Sequence, residues 1–360
     1  MPSLILLPAT PDHRPLLAAN HHAQWGGPKL TLDQYQAKEA ELRNTAYCKE
    51  RLRDWVLVDE EDKETILSSC QTLTLPAVLA TPSSPIQHRS TLAIASVHTP
   101  HSQRGHGYAT TMMKQVMSSL AQTEAGTGAS TLYSDIGRSF YARLGWPVTG
   151  SCTQGIVEVA HAANGDSSGG LVQNITAETL PRFLDLAVKG IETQVREAAT
   201  DGKTGFAVLP AADFFEYFQT HARESAVHIR PDIHTAAFDN LGGAISVEKE
   251  EDSPFLLWFP NISEEKLYIL LIHSPPKSTN TTTPPPTHRL LYAAIAHARH
   301  LGLAKVVVWQ PEDCGVETFP GMQVSARETS LSSLAIVRGA CAGSEGGEVV
   351  WAKNEKYAWV

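Results

Sequence analysis

The sequence predicts an α/β chain in two domains, the first built on a mixed, mostly antiparallel sheet. Short β-branched or alternating runs cluster before residue 100, separated by turn-rich pieces. The order strand, loop, helix, strand then occurs twice, once over residues 91–135 and again over residues 266–310. A chain of 360 residues is long enough to bury two such cores.

"LILLP" at the start reads as a short strand, and residues 11–25 and 31–44 read as helices. The second carries Leu32, Tyr35 and Leu42 at helical spacing, with Glu39 interrupting that face. Residues 55–59, 65–73 and 91–99 read as strands of a meander, and "ATPSSPIQHRS" (80–90) as a flexible loop inside it. A glycine-bearing loop follows, then a helix to about residue 124 and a strand over 129–135. The short helix "GRSFYARLG" stops at Gly145-Trp146-Pro147, where Gly terminates it and Pro forbids continuation. Residues 160–170, "AHAANGDSSGG", read as a linker. Leu180, Leu184, Ala187, Ile191 and Val195 then mark one face of an amphipathic helix over 177–199, with Pro181 tolerated in its first turn.

These boundaries divide the chain into a first domain at 1–160, a linker and helix at 161–205, and a second α/β domain at 206–360. In the second domain the loop before the helix reads "PPKSTNTTTPPPT". Its five prolines lack the N–H groups that an anion cradle uses, so this domain is expected to grip no phosphate.

Composition narrows the function. The formal charge of −9, from 29 basic and 38 acidic residues, disfavours a nucleic-acid binder, which presents a basic face. No apolar run approaches the roughly 18–20 residues of a membrane span, and the N-terminal apolar patch has no basic region before it. Cys48, Cys70, Cys152, Cys314 and Cys341 show no CxxC spacing, which fits reduced thiols in a cytoplasmic setting. The fifteen histidines include no HExxH, and His297 and His300 read as a helix surface. The expected partner is a small molecule, with no nucleic acid, no membrane and no metal.

Chemistry gathers at "SVHTPHSQRGHGYATTMMKQV", residues 96–116. Gly105 and Gly107 flank His106 just after a strand and just before a helix. Residues without a Cβ let the backbone turn tightly and bring N–H groups to a ligand, and the helix adds its positive end. A phosphate or pyrophosphate is the natural guest, with Arg104 as a supplement. The dinucleotide fingerprint fails at its third glycine, where Thr110 stands, and no GK[ST] supports a Walker loop.

The loop does fit R-x-x-G-x-A and resembles motif A of the GNAT superfamily of N-acetyltransferases, while "LYSDIGRSFYARLGW" resembles motif B. Together with "WGGP", "WVLVD", "ILSSC" and "ASVHTP", these segments are similar to the fungal lysine N6-acetyltransferase family over residues 25–146. The C-terminal half is similar more loosely, through "RETSLSSL" and "NEKYAWV". The resemblance implies a GNAT fold followed by a degenerate GNAT-like domain. It also implies acetyl transfer from acetyl-CoA to a primary amine, with the side-chain amine of free L-lysine as first choice. Acetylation of protein or peptide lysines, and a non-catalytic acyl-CoA-binding module, stand as alternatives.

Site residues follow from the same resemblance. Arg104, Gly105, His106, Gly107, Tyr108 and Ala109 would wrap the pyrophosphate. Val97 and His98 would bond the pantetheine arm where strands four and five splay beyond a bulge. Ser134 stands where the family often has a pantetheine-binding Asn, whereas Asp135 reads as a cap for the next helix. Tyr141 falls at the Tyr of the "FY" pair and is the expected general acid, since a phenol of pKa about 10 can protonate a departing thiolate. Phe140 beside it reads as core. The fourth strand lacks the Glu that many relatives carry, which leaves His98, His101 or a relay of water to remove the amine proton. Trp25, Arg327 and Asn354 are expected on the acceptor side, the last two as candidates to hold a free amino acid's carboxylate.

Overall fold

The computed structural model describes residues 3–122, 127–162, 172–245, 253–274, 285–336 and 348–359. The chain opens with β1 (Leu4–Pro8), α1 (His13–His21) and α2 (Leu32–Asn44). A reciprocal capping box starts α2: the Gln34 N–H donates to Thr31 Oγ1, and the Thr31 N–H donates to Gln34 Oε1. After α3 (Ala46–Arg51) come β2 (Leu52–Asp59), β3 (Ser68–Thr81) and β4 (Ser84–His98), and β1 to β4 pair antiparallel in that order. α4 (Tyr108–Gln122) then crosses over to β5 (Thr127–Ser134), which lies parallel to β4, as a parallel neighbour requires. The short α5 (Ser139–Ala142) completes the unit, and the fully buried Trp146 donates its indole N–H to Ser130 Oγ.

The second half repeats the plan. β6 (Thr153–Glu158), β7 (Val172–Ile175), α6 (Leu180–Thr200), β8 (Thr204–Val208) and α7 (Ala212–Ile229) lead into β9 (Gly242–Ile245), β10 (Phe255–Asn261) and β11 (Lys266–His273). α8 (Pro286–His300) crosses to β12 (Lys305–Trp309), which is parallel to β11 as β5 is to β4. The face expected of α6 is kept, with Leu180, Leu184, Ala187, Ile191 and Val195 all buried.

The two halves close by exchanging edges. β6 pairs antiparallel with β12 of the second sheet, from Glu158↔Lys305 to Gln154↔Trp309. Reciprocally, β14 (Leu331–Ile336) pairs antiparallel with β5 of the first sheet, from Leu331↔Ser134 to Ile336↔Ala129. β13 (Gln323–Ala326) extends the second sheet beyond β6, while β15 (Val349–Trp351) joins β8, which itself adds to β3. Among the described residues the sheets hold eight and seven strands. The segment 1–160 therefore places β6 in the far sheet and receives β8, β14 and β15 in return. One continuous core runs from Leu75 and Val78 through Phe206 and Phe214 to Leu257 and Val307.

Residues 80–90 are strand and tight turn, not a loop: β3 and β4 meet at Pro82 and Ser83. The cause is tertiary. Val78 and Leu79 pair with β4 on one side and with Ala207 and Phe206 of β8 on the other, so the hairpin tip is held despite its turn-forming residues. Residues 163–170 of the expected linker and 275–284 of the proline-rich loop lie outside the described residues, and the last prolines of that loop, Pro285 and Pro286, begin α8.

A chain cut after residue 205 should lose cooperative folding, because it lacks β14, β15 and most of β8. Melting followed by far-ultraviolet circular dichroism is expected to show no sharp transition. A transition matching that of the full chain would show that the first half closes alone.

Candidate active site

The pairing of β4 with β5 ends at Ile94↔Leu132. Just beyond, β4 carries a bulge: Ala95 faces Gln71 and His98 faces Ser69, so Ser96 and Val97 lie opposite Cys70 alone. Ser96 sits there in the left-handed region at φ 49° and donates its hydroxyl to Gln71 Oε1. The parallel strands part at this point, and a cavity of about 1110 Å³ opens between them. Val97 and His98 line one side, and Tyr133 and Asp135 the other.

The glycine loop borders the same cavity through Arg104, Gly105, Gly107, Tyr108 and Ala109. Gly105 and Gly107 hold φ of +84° and +79°, a conformation that L side chains rarely adopt. A Cβ at either position would meet nothing within 4 Å, so backbone conformation rather than crowding requires glycine here. The loop runs into the fifteen-residue α4, whose first N–H groups have no partners within the helix. His106 does not line the cavity; its ring packs against Tyr108.

Tyr141, on α5, is buried and lines the cavity. Burial, with Asp135 nearby, pushes its phenol above the ordinary range, so it keeps its proton at neutral pH. Phe140, expected as core, lines the cavity as well. Two expectations on β5 need correction. Ser134 is buried and donates its hydroxyl to the Gly137 carbonyl at 2.7 Å, so that group is already spent outside the cavity. Asp135 caps no helix; its Oδ1 accepts from the N–H and the hydroxyl of Ser330, tying the segment before β14 to the end of β5.

His98 is buried, and among the described residues its Nδ1 has no hydrogen-bond partner. Burial and the Arg104 charge lower its pKa, so the ring is neutral at pH 7. It meets His21 edge-on at 6.2 Å and Trp25 at 6.0 Å, and the partly exposed Trp25 also lines the cavity. His101 is exposed and does not line it.

The rest of the cavity wall comes from both halves, and most of it was not read from sequence. α2 supplies Tyr35, Lys38 and Glu39, α7 supplies Tyr217 and His221, and the second half adds Phe259, Lys266, Tyr268, Trp309 and Lys356. Lys38 Nζ lies 3.4 Å from His221 Nε2 and 3.9 Å from Glu39 Oε1. For α2 the sequence signal was Glu39, the charge that interrupts its apolar face. Arg327 lines the cavity as expected, stacked 3.7 Å over the Trp309 ring and donating to the Ser330 carbonyl. Asn354 does not. It is buried beside Gly150, because the turn at Lys353–Glu355 folds inward and Lys353 donates to the Ile272 carbonyl.

Comparison with known proteins now identifies the fold. Solved structures of a GCN5-related N-acetyltransferase from Anabaena variabilis (TM-score 0.54, 12% identity) and a probable N-acyltransferase from Enterococcus faecalis (TM-score 0.55, 10% identity) each align with 93% of this chain and 73% of theirs. The fold is that of the GCN5-related N-acetyltransferases, in two sheet-containing halves. Residues 157–360 match the LYC1 GNAT-like C-terminal domain, and the chain belongs to that family. It is also 36% identical over 143 residues to a lysine acetyltransferase of Yarrowia lipolytica, a match spanning 35% of this chain and 36% of that relative. Among the described residues no helix is long and apolar enough to cross a membrane.

Buried histidines set an acid limit on stability. His21 and His297 have pKa values lowered from 6.5 to about 4, burial being the main cause. Between those values the unfolded chain binds more protons than the folded one, so stability falls as pH drops through that window. Each costs up to about 3 kcal/mol of stability once the pH has fallen below that window. Urea unfolding of a His21→Phe variant should therefore depend less on pH between 7 and 4 than that of the wild type. An identical profile would exclude His21 as a source of acid lability.

Proposed function

We propose that this protein transfers the acetyl group of acetyl-CoA to a primary amine, with the side-chain amine of free L-lysine as the acceptor. The observation that carries the reading is the parting of β4 and β5 at Ile94–Leu132, with the glycine loop bordering the gap and Tyr141 beside it. A pantetheine arm fits the edge that β4 leaves open from Ala95 to His98. The N–H groups at 104–109 and the start of α4 suit the pyrophosphate. The 36% identity to a lysine acetyltransferase supports lysine as acceptor, and a cavity walled by both halves favours a small molecule over a protein chain. The free, buried Cys48, Cys70, Cys152 and Cys314 support a reducing, cytoplasmic setting.

The residues supply the steps in order. Backbone at Val97 and His98 holds the arm and polarises the thioester carbonyl. The amine must attack uncharged, yet a lysine amine in water has a pKa of about 10.4. The cavity helps here: burial lowers the pKa of its own Lys38 and Lys356, and the same desolvation acts on an incoming ammonium. As the C–N bond forms, the nitrogen gains positive charge and its proton becomes acidic enough for the unpartnered Nδ1 of neutral His98. Collapse then breaks the C–S bond, and the thiolate takes the Tyr141 proton.

An acetyl-CoA consumption screen against free amino acids, polyamines and lysine peptides tests the reading, with L-lysine expected as the best acceptor. Tyr141→Phe should retain acetyl-CoA affinity while kcat falls about 10²–10⁴-fold. Unchanged kcat at saturating lysine would leave Tyr141 a packing residue only.

Gly107→Val tests the loop. A β-branched residue at a φ of +79° is strained by about 1–2 kcal/mol and would shift the loop. Calorimetry should show CoA binding weakened about tenfold or more. Unaltered affinity would remove the loop from the site.

A further inference from the structure

The cavity wall contains two buried basic side chains, and among the described residues neither has an ion pair. Lys356 is 3% exposed and Arg327 5%. Lys356 Nζ lies 3.3 Å from the Trp359 ring centroid and 4.6 Å from those of both Trp309 and Tyr268. Among the described residues it has no hydrogen bond or ion pair. Arg327 stacks on the same Trp309 and spends nitrogens on the Ser330 carbonyl and Ser332 Oγ, but its buried Nε has no partner. Nearby acids are committed elsewhere. Glu264 accepts from Asn261, Lys266 and Tyr268, Asp135 accepts from Ser330, and Glu328 is exposed.

Two basic groups on one indole, both lining a cavity, carry charge together most readily when an anion joins them. We infer that Arg327 and Lys356 form a carboxylate subsite, so that the acceptor is a free amino acid held by its carboxylate. This rests on the acetyl-transfer reading given above. Aromatic faces hold the two basic side chains in the free protein, and a carboxylate would complete them with charge-assisted hydrogen bonds. Burial lowers the pKa of both groups, and a bound carboxylate would stabilise their protonated forms.

Phosphate of CoA is the other anion at hand, and position argues against it. The Trp309 ring packs 5.6 Å from Tyr133, the first residue of β5 past its last partner on β4. The subsite therefore borders the parting of the strands, where the acceptor must meet the thioester, whereas the phosphate-gripping N–H groups lie in the glycine loop.

The test compares L-lysine, L-lysine methyl ester and cadaverine as acceptors for the full chain and its Lys356→Met and Lys356→Arg variants. Calorimetry with L-norleucine, which has the carboxylate but no side-chain amine, accompanies the kinetics. Wild type should use L-lysine about 10²-fold better, in kcat/KM, than either acceptor without a carboxylate. Lys356→Met should raise the KM for L-lysine by a similar factor, abolish that preference and leave acetyl-CoA affinity unchanged. Lys356→Arg should restore much of the preference and so separates lost charge from lost folding. Equal use of lysine and its ester by wild type would overturn the subsite, as would weakened acetyl-CoA binding in Lys356→Met. If no amine is acetylated, the transfer reading fails, and the norleucine titration judges the subsite by itself. Binding that Lys356→Met removes would uphold it, and no binding by wild type would overturn it.

Discussion

Antiparallel pairing of β14 with β5 is the interaction on which the site depends. β5 leaves β4 after Leu132, and without a neighbour on its far side its N–H and C=O groups would lack partners in a buried region. β14 fills that edge from Ala129 to Ser134 and carries the preceding segment to the cavity. Arg327 and Ser330 thereby reach Tyr133 and Asp135, nearly two hundred residues earlier in sequence. The reciprocal pairing of β6 with β12 fixes Trp309 in the same way. The two halves form one cavity because each finishes the other's sheet.

That cavity is unusual in how it treats charge. Its wall holds three lysines, two arginines and three histidines beside four acids, and burial disfavours the charged forms of several of these bases. The same property serves opposite purposes at different places. Around His98 and Lys38 burial lowers the pKa of nitrogen. Around Lys356 and Arg327, aromatic faces hold basic side chains that have no ion pair among the described residues. Polarity is thus sorted by position within one enclosed space, and the sorting depends on side chains from both halves.

Local signals were legible in the sequence, and long-range pairing was not. Gly105, Gly107 and the start of α4 could be read because positive φ and helix entry are properties of a few adjacent residues. The face of α6 was legible for the same reason. Tyr141 and His98 reached the cavity as expected, since each sits a few residues from a recognisable motif. The strand at 80–90 was missed because its support comes from β8, and Asp135 was misread because Ser330 claims it. Lys356 was overlooked even though its segment had been singled out. Nothing in "NEKYAWV" shows that the lysine faces three aromatic rings drawn from separate elements, while its neighbour Asn354 turns away.

Strand exchange also has a consequence in time. As the chain leaves the ribosome, β6 appears at residues 153–158 and must wait for β12 at 305–309 before it can pair. The edge of β5 waits longer, until residues 331–336 emerge. Contacts of such sequence separation form slowly, and open strand edges invite mispairing while they wait. Neither sheet can close until these late strands have been made, so the nascent protein must keep two unfinished edges apart while the intervening residues emerge.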